Sequence, residues 1–158
     1  MAVTAWWYVN AFETAFNKEI DFITDNIAVS LHTVTYVPNQ DTHDFFDDLT
    51  NQLATANGYT NESGAGTGKL LATKTHANTL NVSTLDAADP VWTSSGAGFT
   101  ARIAVLSDVQ SAVTTTDPLL CWTDFGQNET ASGGGTFTIA WNASGIATIT
   151  PADAIGFP

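Results

Sequence analysis

From residue 58 onward the sequence consists of short runs of alternating apolar and polar residues, set between clusters of Gly, Asn, Ser and Thr. A period of two puts successive side chains on opposite faces of an extended chain, so such runs, bounded by turn residues, read as strands of a half-buried sheet. The expected strands are 69–76, 79–85, 99–106, 118–125, 136–141 and 146–150. The last two are expected to form a hairpin across Asn142-Ala143-Ser144-Gly145, with Phe137, Ile139 and Trp141 on one face. Gly64 to Gly68 and Gly133 to Gly135 read as flexible loops.

The first third of the chain carries different signals. Over residues 5–20, Tyr8, Val9, Phe12, Phe16 and Ile20 recur at helical spacing, which predicts a helix with Thr4 as its N-cap and an apolar stripe centred on Phe12 and Phe16. Trp6 and Trp7 fall off that stripe. Residues 26–34 alternate as a strand, and Tyr36-Val37-Pro38-Asn39 closes it. A short helix is expected over 42–53, burying Phe45, Phe46, Leu49 and Leu53, with Asp44, Asp47 and Asp48 near its N-terminus.

Helices followed by many short strands predict an α+β, mainly β fold: one antiparallel β-sandwich domain spanning 1–158, with an N-terminal helix and a second short helix packed on it. Its parts are an N-terminal arm and helix (1–20), the strand (26–34), the short helix (42–53), the β-rich region (58–150) and a C-terminal tail (151–158). A chain of 158 residues can bury a sizeable core without cross-links. It has a single cysteine, Cys121, within the apolar run Leu119-Leu120-Cys121-Trp122, so no intrachain disulfide can form and the thiol is expected to behave as a small hydrophobe.

Charge narrows the partners. Sixteen acidic residues face only Lys18, Lys69, Lys74 and Arg102, a net charge of −12. Nucleic acid and anionic membrane surfaces both require basic clusters, so neither is an expected partner. The N-terminal residues lack the basic and apolar regions of a signal peptide, and no apolar run approaches the ~18 residues of a membrane span. Asn61, Asn81, Asn128 and Asn142 each open an Asn-x-Ser/Thr triplet, but Ser and Thr are abundant enough to produce these by chance.

Patterns that carry chemistry are weak. Ser63-Gly64-Ala65-Gly66-Thr67-Gly68-Lys69-Leu70 approaches a phosphate-binding loop, yet Ser63 stands where the first glycine belongs and Leu70 where Ser or Thr would hold magnesium. Ser94-Ser95-Gly96-Ala97-Gly98 does not make a nucleophile elbow. His32, His43 and His76 are scattered, without metal-ligand spacing, and each is expected to be a surface or half-buried side chain. The acidic run Asp41-Thr42-His43-Asp44-Phe45-Phe46-Asp47-Asp48 lacks the glycine and terminal Glu of an EF-hand. A helix-capping acidic face is the expected reading, with a calcium ion at a subunit contact as the alternative. No catalytic residue, metal ligand or cofactor is expected. Trp6, Trp7 and Trp92 remain as candidate exposed anchors, since aromatic side chains dominate protein interfaces.

Several stretches resemble a known family. They are Ala15-Phe16-Asn17-Lys18-Glu19-Ile20-Asp21-Phe22, the run from Tyr36-Val37-Pro38-Asn39-Gln40 through Asp48, Gly58-Tyr59-Thr60, Leu85-Asp86-Ala87-Ala88-Asp89, Thr100-Ala101-Arg102 and Gly135-Thr136-Phe137-Thr138-Ile139-Ala140-Trp141. Together they resemble small virion structural proteins of tailed bacteriophages, in the same order from about residue 11 to 150. The 63–69 loop and the 151–158 tail depart from that pattern. The resemblance implies a non-enzymatic virion component, made in the host cytoplasm, that decorates the capsid or acts as a minor capsid protein. Its expected partners are the major capsid protein and copies of itself. The expected contact residues are Trp6, Trp7, Asp41, His43, Asp44, Trp92, Phe157 and Pro158, with both chain ends pinned by neighbours. A tail, neck or fibre component, and a carbohydrate-binding module using Trp92, are the alternatives.

Overall fold

The computed structural model describes residues 4–110 and 113–150. It is mainly β, with antiparallel sheets packed together and one α-helix. In chain order the elements are β1 (Thr4–Trp7), α1 (Asn10–Phe16), β2 (Ile27–His32), β3 (Lys69–Leu70), β4 (Thr75–Thr79), β5 (Val82–Asp86), β6 (Val91–Thr93), β7 (Phe99–Asp108), β8 (Leu119–Ala131), β9 (Thr136–Thr138) and β10 (Ala147–Ile149). Single 3-10 turns lie at Phe46–Asp48 and Thr114–Thr116.

The central sheet has the order β1-β8-β7-β2-β3, and every pairing in it is antiparallel. A second sheet, β10-β5-β4, and the ribbon β6-β9 pack across one face. That face supplies the larger core: Val29, Leu31, Ala104, Leu106 and Cys121 from the central sheet meet Tyr59, Trp92 and Phe137. The opposite face carries Ile103, Val105 and Leu119, covered by Tyr8 and by Tyr36 from the long segment after β2. Every residue of β2 is therefore buried, although its alternation predicts one wet face.

Several sequence expectations are corrected here. The chain from Thr4 to Trp7 is a strand, not the first turns of a helix: Trp6 lies opposite Trp122 and Trp7 opposite Cys121. Aromatic residues suit a pleated surface, and pairing with β8 satisfies a backbone that no side-chain cap would have served as a helix. The helix begins only at Asn10, with Val9 at the N-cap and no side-chain cap. It buries Ala11 and Thr14, whose small side chains let it lie close to the sheet, and turns Phe12 and Phe16 outward at 39% and 87% exposure.

The second helix shrinks to one 3-10 turn because its backbone groups are engaged elsewhere. Phe46 donates to the carbonyl of Asp117, Leu119 donates to the carbonyl of Asp44, and the Asp48 carboxylate accepts the N–H groups of Asp44 and Phe45. Phe46 and Leu53 are buried as expected. The turn at Asn142–Gly145 exists, but its two arms separate: β9 pairs with β6, and β10 pairs with β5. The predicted β9–β10 hairpin is replaced by strands serving two sheets, and β6 is a strand that the sequence reading missed.

Trp92 is 3% exposed and packs edge-on against Phe137 at 5.9 Å. Its truncation removes a large side chain from a close-packed core. Trp92→Ala is expected to lower the unfolding free energy by about 3–5 kcal/mol, read as a lower midpoint in denaturant titration; a change below about 1 kcal/mol would contradict its core role.

Candidate functional site

The end of β1 and the acidic segment after β2 meet in space. Val9 donates its N–H to the carbonyl of Gln40 at 3.1 Å, and the Tyr8 and His43 rings stand 6.5 Å apart. This places the end of β1, at Tyr8 and Val9, against the segment carrying Asp41, His43 and Asp44. Asp41 is exposed, whereas His43 and Asp44 are half-buried. Trp6, 37% exposed, stacks on Trp122 with 4.1 Å between ring centroids. Trp7 is half-buried and points to the other face of the strand, 5.4 Å from the Phe12 ring. Trp92 does not belong to this surface; its burial leaves no face for a partner or a sugar, so it is withdrawn as an anchor. Phe157 and Pro158, and with them the expected pinning of the C-terminal end, lie outside the described residues.

Two apolar grooves flank Trp7. One, of about 640 Å³, runs between β1–β8 and the segment 138–147, lined by Trp7, Cys121, Phe125, Ile139 and Trp141 among others. The other, of about 480 Å³, lies between α1 and the β10-β5-β4 sheet. Among the described residues, β1 and β10 are each paired along one edge only.

Beneath the surface, polar groups form two buried chains. The His32 ring bonds the Thr50 carbonyl through Nδ1 at 2.8 Å, which leaves Nε2 to accept from the Ser30 hydroxyl at 2.9 Å. Burial holds this imidazole down to about 4, against an ordinary 6.5. The expectation of a surface or half-buried histidine is thus corrected for His32, which is 0% exposed. A Ser–His pair with no exposed surface serves to fasten the segment after β2 to the sheet. Beside it, the Tyr8 and Tyr36 hydroxyls bond at 2.8 Å, and Tyr36 reaches His43 Nδ1 at 3.0 Å. Burial raises both phenols, Tyr36 to about 12. The Cys121 thiol is buried and likewise pushed up to about 12, where a thiolate is scarce.

The glycine loop is occupied by the chain itself. Glu62, 1% exposed, accepts the N–H groups of Ser63, Ala65 and Thr67 on Oε1 and of Gly68 on Oε2, at 2.8–3.3 Å. A Cβ at Gly68 would stand 3.0 Å from the Glu62 side chain. The converging donors that could have cradled a phosphate hold a carboxylate instead, and the loop is an ordered cap rather than a flexible one. Glu62→Ala is expected to cost about 2–4 kcal/mol by leaving these donors without their acceptor, with Glu62→Gln falling between it and the native protein. Equal denaturation midpoints for all three would contradict this.

At the end of β7, the Asp108 carboxyl is 1% exposed, with Gln110 Nε2 at 3.5 Å. Burial, then a hydrogen bond with Asp25 and that group's charge, raise it from 3.8 to about 8. The folded protein therefore holds a proton here that the unfolded chain releases, so this stabilising term is full below pH 3.8 and lost as pH rises to about 8. His32 acts in the opposite sense: its term is full above 6.5 and lost as pH falls toward about 4. The two offset each other in mild acid, and Asp108 acts alone above neutrality. Between pH 6.5 and 8, stability is expected to fall by about 1 kcal/mol. Asp108→Asn should abolish that fall and uncover the acid-side loss from His32. A native pH profile that rises over this interval would contradict the assignment.

Among the described residues, no group of three or more His, Cys, Asp or Glu is placed to hold a metal ion, and no helix is long and apolar enough to cross a membrane. Compared with protein-family models, curated proteins and solved structures, the chain matches none. Sequence reasoning pointed to the aromatic residues of β1 and the acidic segment, and missed Glu62, the Ser30–His32 pair and Asp108. An acid immediately preceding a run of loop glycines is the signal that could have found Glu62. The other two depend on tertiary burial.

Proposed function

We propose that this chain is a non-enzymatic structural component of a tailed-phage virion, a capsid decoration or minor capsid protein that binds and reinforces the outer shell. The observation that carries the reading is the Trp6–Trp122 stack on edge strand β1, beside the segment holding Asp41, His43 and Asp44. Large, rigid aromatic rings at the margin of a sheet are the kind of surface that anchors a protein interface. The ordered sequence resemblance supplies the virion context. Trp6 retains enough open surface to gain from docking, and an agent that binds only the assembled shell stabilises it by mass action.

The high negative charge suits a protein held at high local density in water and favours a partner face with basic residues. Tail or neck placement would use the same surface against a different partner. Trp6→Ala is expected to reduce the copies retained on purified virions by tenfold or more, if the contact contributes about 1.4 kcal/mol or more per copy. The isolated variant should keep the native far-UV dichroism spectrum. Undiminished occupancy would contradict the role given to Trp6.

A further inference from the structure

The β4–β5 hairpin stands out into solvent. All residues of β4 are exposed, and those of β5 are half-buried. Thr79 pairs with Val82, so Leu80 and Asn81 form a two-residue turn. Leu80 is 99% exposed and has φ +55°. Both properties oppose its chemistry: a leucine gains from burial, and a bulky L-residue is strained in the left-handed region that Asn or Gly occupies readily. The turn would form more easily without leucine, so a leucine at this tip needs an explanation from outside the fold.

The same chain carries a complementary concavity. The groove of about 480 Å³ between α1 and the β10-β5-β4 sheet is lined by Trp7, Phe12, Phe22, Leu85, Leu120 and Ile149, among others. Phe12 and Ile149 at its rim are 39% and 40% exposed. His76, Ser83 and Leu85 of the hairpin itself form part of the groove wall. The exposed tip therefore does not fill its own groove and can enter only that of another molecule. Charge permits the approach. Residues 75–85 contain no Asp, Glu, Lys or Arg in a chain of net charge −12, and Lys18, one of its four basic residues, lines the groove together with Asp21.

We propose that Leu80 of one copy docks into the α1–β5–β10 groove of the next, making a head-to-tail contact between copies of this chain. Knob and socket lie on different surfaces, so the contact is heterologous and propagates to a ring or an open row. This goes beyond the virion reading and does not rest on it, because self-association of the isolated chain is independent of the Trp6 surface.

Sedimentation velocity of the full chain over a range of concentrations tests it, with Leu80→Asn removing the knob and Phe12→Glu blocking the socket. Asn suits the turn better than Leu, so the first variant should melt no lower than the native protein. Melting and far-UV dichroism check the second. The native chain is expected to grow beyond one protomer mass as concentration rises, and each variant alone to stay monomeric. An equimolar mixture of the variants should give a two-chain species and nothing larger, because only one knob and one socket remain usable. A native chain that stays monomeric throughout, or a Leu80→Asn variant that associates as the native chain does, would overturn the proposal.

Discussion

The structure depends on the burial of the β2–β7 pair on both faces. Antiparallel sheets commonly leave one face to water, and the sequence alternation of 26–34 suggests that arrangement. Here Val29 and Leu31 face the larger core, while Ala28, Ser30 and His32 lie beneath the segment that follows β2. Covering the second face requires polar side chains to be satisfied without water. The Ser30–His32–Thr50 chain and the Tyr8–Tyr36–His43 chain meet that requirement for their own members, and they also hold the acidic segment in place. The position of Asp41, His43 and Asp44 beside β1 is thus a consequence of how a central strand is sealed.

Much of the β region was legible because local pattern and tertiary context agree there. β7 and β8 alternate strongly and lie where expected, each longer than its pattern implied. Local pattern failed where tertiary pairing overrode it. The periodicity over 5–20 is real, but Trp6 and Trp7 gain more from β8 than from a helix with a poor cap, and Phe12 and Phe16 then turn outward. The 42–53 segment has the composition of a short helix, but its carbonyls and amides bond to residues 117–119. The β9–β10 turn was correct while its pairing was not, because a local turn signal does not say which sheet each arm will join.

The candidate surface was legible in part for the same reason. Trp6 and Trp7 stood off the expected apolar stripe because they belong to a strand, and the helix that carries the stripe starts only at Asn10. Trp92 carried an equally suggestive context, yet its short strand pairs with β9 and takes the ring inside. Glu62 shows the reverse: a glycine loop that resembles an anion site in sequence is closed by its own neighbour, a fact visible only once the side chain is placed. Exposure and self-satisfaction are tertiary properties, and they separate a surface that can recruit a partner from one that merely contains suitable residues.

The proposed virion role is tested most directly by a cryo-EM reconstruction of particles purified from cells that produce this chain. That role predicts density for this fold in many copies at symmetry-related positions on the outer shell, with β1 and the segment 39–44 turned toward the capsid. Particles that carry no copy of the chain, on shell or tail, would contradict it.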